Sequence, residues 1–280
     1  MIKKFIFILA VLISAQSFSQ RSTSSPYSYF GVGEEFGTRT VEQISMGSIG
    51  AAYSSPSYLN FINPASLSEL RLATYVFGVL NNDLTISDAD VNQSTNSTSL
   101  SYFSIAFPLS KKMAVVFGMQ PTSSVGYSLI NTLNDDEGNF EEITQYVGSG
   151  DVNRIYGGFG LKLFKGFSVG LELDFLFGNI QNNVLNIRDE VTLATKNVED
   201  SNVRGGSIKL GAQYKTTLTK DINLHVGASF KLGNSLSSTG TENLYSLSLG
   251  ASGFEQPRDT IFSGPLTANL ERPLETILGL

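Results

Sequence analysis

Hydrophobic and polar residues alternate along four segments in the second half of the chain: residues 155–163, 167–177, 208–216 and 222–232. In the second segment, one side carries Phe167, Val169, Leu171, Leu173, Phe175 and Phe177, and the other carries Ser168, Gly170, Glu172, Asp174 and Leu176. A β-strand places successive side chains on opposite faces, so a period of two predicts strands rather than helices.

The length of these segments points to a membrane. Runs of about ten residues fit a tilted strand that crosses a bilayer, whereas ordinary strands average about five or six residues. Small and polar residues on the second face are typical of a barrel wall whose other face meets lipid. The pattern predicts an all-β fold, an antiparallel transmembrane β-barrel. A soluble secreted β-sandwich is the alternative, because its strands alternate as well.

The connections between the segments predict antiparallel pairing. Residues 164–166, 218–221 and 110–112 have the lengths of β-hairpin connections. Two longer polar stretches, residues 131–150 and 180–202, are predicted to be loops. Short turns at one end and long loops at the other are typical of outer-membrane barrels.

The first nineteen residues predict export. Lys3 and Lys4 form a short positive region, Phe5–Ile13 is apolar throughout, and Ser17-Phe18-Ser19 offers the small residues that a signal peptidase reads. We expect residues 1–19 to be a cleaved signal peptide and Gln20 to begin the mature chain. With the barrel pattern, this predicts the outer membrane of a Gram-negative bacterium.

Composition narrows the possible functions. Charged residues make up 16% of the chain, against about 25% in soluble domains. The net charge of −6 and the lack of a Lys/Arg stripe argue against a nucleic-acid partner. With no cysteine in the sequence, disulfides, thiolate metal sites, a cysteine nucleophile and a lipoprotein anchor are excluded. The mature chain also lacks an uncharged apolar window long enough for a membrane helix.

Candidate chemistry is sparse. His225 is the single histidine, and the sequence sets no nucleophile or acidic partner beside it. Glu172 and Asp174 share one strand face, where they could act as an acid/base pair but more simply meet lumen lysines. The predicted lumen polar residues are Lys162, Glu172, Asp174, Lys209, Lys215 and His225. We therefore expect no catalytic residues, no metal and no cofactor, and a protein that is not an enzyme.

Two motifs near the N-terminus carry a family resemblance: residues 47–53, Gly-Ser-Ile-Gly-Ala-Ala-Tyr, and residues 63–67, Asn-Pro-Ala-Ser-Leu. They resemble the hatch of the FadL/TodX-type outer-membrane transport proteins. Residues 148–156, which lead into 167–180, resemble a mid-barrel hairpin of that family, and residues 25–31 resemble the start of its mature chains. The resemblance covers most of the mature chain and is specific at the Asn-Pro-Ala motif.

The resemblance implies a fourteen-stranded barrel, residues 71–280, with an N-terminal hatch, residues 20–70. It implies uptake of hydrophobic small molecules, such as long-chain fatty acids or aromatic hydrocarbons, by a protein in contact with outer-membrane lipid. The ligand would meet an apolar pocket lined by Phe30, Phe36, Tyr53 or Tyr58. The alternative is a non-transport partner of a secretion or surface-assembly machine. A lumen sealed by polar networks would favour this alternative.

The hatch motif also has a physical explanation. Pro64 fixes its own φ and keeps Asn63 out of the helical region, so Asn63 can bond to neighbouring backbone. Ala65 is small enough to pack inside a barrel. We expect the motif to seat the hatch without touching a ligand, and we expect Gly47 and Gly50 to be packing glycines.

The sequence predicts about ten or eleven strands rather than fourteen, by the strand length that spanning requires. Residues 273–280 have the pattern of the start of a further strand, and Leu280 stands where barrels of this class usually have an aromatic residue. We expect either a barrel that is incomplete at its C-terminus or a smaller, ten-stranded one.

Overall fold

The computed structural model describes residues 23–87, 92–250 and 254–280. The predicted signal peptide, residues 1–19, lies outside the described residues. No described helix is long and apolar enough to cross a membrane. The strands are β1 (Glu34–Glu35), β2 (Thr74–Ser87), β3 (Asn92–Ser110), β4 (Met113–Asn134), β5 (Phe140–Phe164), β6 (Phe167–Arg188), β7 (Ala194–Thr219), β8 (Ile222–Lys231), β9 (Asn234–Leu249), β10 (Glu255–Arg272) and β11 (Glu275–Gly279). One α-helix, α1 (Val41–Ser45), and two 3-10 helices, Pro26–Tyr29 and Pro64–Glu69, precede the long strands. The all-β prediction is confirmed.

The long strands form one antiparallel sheet, and from β2 to β7 each strand pairs with the next along the chain, followed by β8 and β9 beside β7. At two places in the sheet, two strands that follow each other along the chain lie end to end, in the position of one longer strand. Strand β8 pairs with residues 209–219 of β7 and β9 pairs with residues 194–204 of the same strand. Strands β10 and β11 lie in the same way beside β9 and β8. The sheet is therefore an up-and-down meander.

The sheet curls into a half-barrel, and its concave face holds the N-terminal segment, which we define as residues 23–73. Within the described ranges, β2 pairs only with β3, and β10 and β11 pair only with β9 and β8. A closed barrel of fourteen strands stays a prediction.

The predicted turns are confirmed at one end of the sheet. Two-residue connections, Lys111-Lys112, Lys165-Gly166 and Lys220-Asp221, join β3 to β4, β5 to β6 and β7 to β8. The predicted long loops, residues 131–150 and 180–202, are wrong. Strands continue through most of both stretches, which leaves connections of five residues each, 135–139 and 189–193.

The reason is that backbone pairing continues where side-chain alternation stops. Strand β5 has 25 residues, which at about 3.3 Å each makes it roughly 80 Å long. Only the half near the tight turns alternates apolar with small or polar residues. The distant half carries polar side chains on both faces, yet its ladder with β6 is continuous from Glu142 to Lys162.

The two faces of the alternating half differ as predicted. Outward side chains are apolar and exposed: Phe117 is 57% exposed, Leu173 53% and Phe175 48%. Their neighbours on the concave face are buried, with Glu172 at 3% and Asp174 at 6%. A contiguous exposed apolar face marks an interaction surface or contact with lipid.

Candidate functional site

The N-terminal segment is held in shape by buried amides. Thr40 caps α1, and its Oγ1 accepts from the backbone nitrogen of Gln43 while the Gln43 side chain accepts from the Thr40 nitrogen. Gln43 Nε2 donates to Asn60 Oδ1 over 2.8 Å. Asn60 in turn donates through Nδ2 to the carbonyl oxygens of Gly50 (2.6 Å) and Tyr53 (2.8 Å). The loops before the Asn-Pro-Ala motif are thus tied to one another by side chains.

Asn63 joins this segment to the sheet. Its Oδ1 accepts from Ala65 N over 3.0 Å and caps the 3-10 helix Pro64–Glu69. Its Nδ2 donates to the carbonyl oxygens of Ala51 (2.7 Å), Ala212 (3.0 Å) and Ala228 (3.2 Å), the last two on β7 and β8. Because Asn63 is fully buried, its side chain has no contact with solvent, and these bonds take the place of hydrogen bonds to water. The sequence predicted the local turn but not the reach to the wall.

Four wall glycines receive the segment, one on each of β5 to β8: Gly160, Gly170, Gly211 and Gly227. We call them the glycine seat. A Cβ added at them would lie 2.7 Å from Pro64 O, 2.3 Å from Ala65 N, 2.1 Å from Asn63 Oδ1 and 1.9 Å from Ala51 O, respectively. Such distances are far below van der Waals contact. Glycine is thus required at these positions because the N-terminal segment lies directly against the backbone of the sheet, through its own backbone at three of them and through the Asn63 side chain at Gly211.

Polar side chains around the seat add further bonds. Lys162 Nζ meets Glu69 Oε1 over 2.7 Å, Ser68 donates to Ser168 over 2.8 Å, and Lys215 bonds to Ser54. Further bonds come from Ser229 to Ile62 O (2.7 Å) and from Gln213 Nε2 to Ala51 O and Tyr53 O (both 2.9 Å). Burial raises the pKa of Glu69, but the hydrogen bond and charge of Lys162, with Lys215 and Arg71, outweigh it and hold the pKa below its usual value.

A buried charge cluster lies beside this seat: Gln120, Arg154, Glu172, Asp174, Lys209 and Lys231. Arg154 is fully buried, and all three nitrogens of its guanidinium donate hydrogen bonds. Its Nη1 meets Glu172 Oε1 and Asp174 Oδ1, each over 3.0 Å. Its Nε and Nη2 donate to Gln120 Oε1 over 3.1 and 2.6 Å. The contacts of Arg154 therefore join β4, β5 and β6, and the cluster as a whole extends to β8.

Lys209 connects the cluster to the N-terminal segment. Its Nζ donates to Glu172 Oε1 over 2.8 Å and to the carbonyl oxygen of Phe61 over 3.0 Å. The Arg154 guanidinium also lies 4.5 Å from the ring centroid of Tyr156, a cation–π contact. Buried pairs of this kind add little net stability, but losing one partner is costly because it leaves the other charged and alone.

The six predicted lumen polar residues all lie on the concave face, in three places. Glu172, Asp174 and Lys209 meet in the buried charge cluster, whereas Lys162 and Lys215 contact the N-terminal segment. His225 lines a separate cavity of about 380 Å³.

Three members of the cluster were missed: Arg154, Gln120 and Lys231. Arg154 has the same strand parity as Tyr156 and Gly158, so counting back by two from the alternating run would have placed it on the inner face.

The hatch-motif glycines do different things. Gly47 has φ +77° just after α1, a left-handed conformation that ends the helix at little cost for glycine. A Cβ at Gly50 would lie 2.2 Å from Ile62 Cδ1, so Gly50 is a packing position.

The four predicted ligand aromatics are not brought into one pocket. Phe30 is 73% exposed and stacks edge-on with Tyr29, and Tyr58 is 50% exposed. Phe36 lines a cavity that also contains Arg154, Lys209 and Lys231, and Tyr53 lines the cavity beside His225. The expected single apolar pocket is therefore not formed by these side chains.

Comparison with known proteins decides the family. The BamG family model matches residues 1–280. The chain belongs to the BamG family. No curated protein and no solved structure matches it significantly. The BamG family is related to the BAM complex, and membership indicates an outer-membrane-associated protein connected with the assembly machinery.

The FadL/TodX assignment is therefore wrong, since the match over the whole length is to the BamG family. The Gly/Ala-rich and Asn-Pro-Ala motifs misled for a physical reason. Their small residues and capping asparagine serve close backbone packing against a curled sheet, a need that any protein with an inward N-terminal segment shares. Hydrophobic uptake loses its support with the family. The signal peptide and its cleavage stay predictions for this BamG-family chain.

Proposed function

We propose that this BamG-family protein is a non-enzymatic accessory component of the outer-membrane barrel-assembly machinery, with its N-terminal segment as a permanently seated hatch. The observation that carries the proposal is the family match along residues 1–280. It favours the assembly partner over the transporter, the two functions between which the sequence left a choice.

The contacts of the N-terminal segment support a fixed hatch. Asn63 bonds to β7 and β8, and at the glycine seat the wall backbone lies directly against residues 51 and 63–65 of the segment. Moving the segment would break these bonds and leave buried carbonyls and amides unpaired, each at about 1–3 kcal/mol. A displaceable plug would be expected to have a wetter, looser interface.

The chemistry of the concave face argues against passage of hydrophobic molecules. Next to the hatch lie Arg154, Glu172, Asp174 and Lys209, all buried and joined by bonds of about 3 Å. A path for a fatty acid or hydrocarbon needs apolar walls, because desolvating charges along it is expensive. We infer that the cluster fills the interior beside the hatch with paired charges, which an apolar molecule could not pass without separating them.

The outward face supports placement in the membrane. Phe117, Leu173 and Phe175 belong to an exposed apolar belt on the alternating half of the sheet, which is the kind of surface that a barrel wall presents to lipid. The longer strands continue beyond the belt as polar sheet. This division suits a protein held in the outer membrane by the belt.

Co-purification tests the proposal. The chromosomal gene is given an affinity tag, outer membranes are extracted in mild detergent, and bound proteins are quantified by mass spectrometry. We expect BAM components in near-stoichiometric amounts, and reduced levels of other outer-membrane barrels when the protein is depleted. A tagged, unrelated outer-membrane barrel of similar abundance is the control. Recovery of BAM components no greater than with that control would contradict the proposal.

A further inference from the structure

A cavity of about 300 Å³ lies between residues 35–39 of the N-terminal segment and strands β4, β5, β7, β8, β10 and β11. A water molecule takes up about 30 Å³ in the liquid, so the cavity has room for a small ion with part of its hydration shell. Its lining includes the side chains of Thr122, Lys231, Arg272, Arg39, Glu35 and Glu275. Apart from Lys231, which belongs to the buried charge cluster, these residues have no part in the proposed assembly role.

Several polar groups at this cavity have no hydrogen-bond partner in the described part of the chain or could accept or donate further hydrogen bonds. Among the described residues, the buried atoms Thr122 Oγ1 and Arg272 Nη1 have no hydrogen-bond partner. The other terminal nitrogen of Arg272 donates to Glu35 Oε1 over 3.1 Å. Lys231 Nζ lies 4.0 Å from Asp174 Oδ2, which is too far for a hydrogen bond. Asp174 Oδ2 is also without a partner within the described ranges. Because leaving buried polar groups without partners is costly, an added acceptor beside Thr122 and Arg272 would be stabilising.

The charges around the cavity favour an anion. Five cationic side chains line it, Arg39, Arg154, Lys209, Lys231 and Arg272, against two carboxylates, Glu35 and Glu275. Glu172 and Asp174 do not line the cavity, but they lie beside its cationic side chains and balance two of the five positive charges. One positive charge remains in excess over these nine groups.

We propose that this cavity binds a small oxyanion, of the phosphate or carboxylate class. Lys231 Nζ and Arg272 Nη1 supply charge-assisted donors, and Thr122 Oγ1 supplies a neutral one. Arginine and lysine are the usual partners of such groups in proteins. The anion would join β8 and β10 to β4 across the interior.

Thermal unfolding of the full chain in detergent tests this. The protein is titrated with sodium phosphate and, separately, with sodium acetate, each against sodium chloride at equal ionic strength. We expect at least one oxyanion to raise the Tm in a saturable way that chloride does not reproduce. The oxyanion with the lower half-saturating concentration identifies the source. No rise above the chloride series for either would overturn the proposal.

Two variants locate the site. Lys231→Met and Thr122→Val should raise the half-saturating concentration about tenfold or more, the loss of one hydrogen bond to a charged group. Lys215→Met is the control, since Lys215 bonds to Ser54 outside this cavity. Thr122→Val keeps the test valid if Lys231→Met fails to fold, because the Thr122 hydroxyl has no protein partner to lose. An unchanged half-saturation in Thr122→Val overturns the proposal.

Discussion

Gly170 and Ala65 lie closer together than any side chain at position 170 would allow, because a Cβ on Gly170 would stand 2.3 Å from the backbone nitrogen of Ala65. Substitution at the seat must move the N-terminal segment or the wall. We expect Gly170→Ala to lower the free energy of unfolding by about 1–3 kcal/mol, as overpacked cores do. Denaturant titration in detergent measures it.

Gly206→Ala is the matched control, since its new Cβ would be 3.7 Å from the nearest atom, Asp174 O, in ordinary contact. Equal effects of the two substitutions would show that close contact at the glycine seat does not hold the N-terminal segment against the sheet.

Asn63 is expected to be intolerant of even the isosteric change to aspartate. Asn63→Asp removes the donor that meets Ala51, Ala212 and Ala228 and sets carboxylate oxygen against three carbonyl oxygens. The loss should be at least about 3 kcal/mol, because a buried charge would lack a partner. Thermal unfolding and protease sensitivity of residues 23–73 both measure it.

Asn223→Asp provides the comparison on an exposed strand end, where Asn223 only accepts from Thr217 Oγ1 and aspartate can do the same. If Asn63→Asp were as mild as Asn223→Asp, the proposed attachment of the segment would be wrong.

The buried charge cluster should behave as one unit. Arg154→Met leaves Glu172 and Asp174 without their shared partner and should cost about 3–5 kcal/mol. Adding Asp174→Asn should recover part of that loss, which a double-mutant cycle measures as coupling. Arg188→Met, in an exposed pair with Glu142, should cost no more than about 1 kcal/mol. Strict additivity of the two cluster substitutions would contradict the geometry.

Acid should weaken the attachment of the segment through Glu69. Its pKa is lower in the folded protein than the ordinary value of 4.5, so its stabilising effect is complete at neutral pH and is lost as the pH falls through the folded pKa. The Tm difference between the wild type and Glu69→Gln should therefore be constant near pH 7 and vanish at strongly acid pH. A difference that does not depend on pH would show that the Lys162–Glu69 ion pair has no such role.

The alternating half of the sheet could be predicted because apolar and small residues there take opposite faces. Strand β6 from Phe167 to Phe177 shows this most clearly: all of its outward residues are large and apolar. The distant halves could not be predicted in the same way. From Asn179 to Asn186 polar residues stand on both faces of β6, so the side chains carry no period, although the backbone pairs continuously with β5 and β7.

The attachment of the N-terminal segment was only half predictable. The capping role of Asn63 follows from the Asn-Pro pair, which is local. Its bonds to Ala212 and Ala228 join residues some 150 positions apart in the chain, and nothing in the local sequence encodes them. The glycine seat was visible as small residues on one strand face, but the backbone that each glycine receives was not.

The most direct test of the central claim is quantitative mass spectrometry of BAM components bound to the tagged, natively extracted protein, compared with the unrelated barrel control. The account predicts near-stoichiometric BAM components with the wild type and with Arg188→Met, and a reduced yield with a variant whose hatch is unseated, such as Gly170→Ala. Absence of BAM components from the wild-type sample, with the protein folded and in the outer membrane, would contradict it.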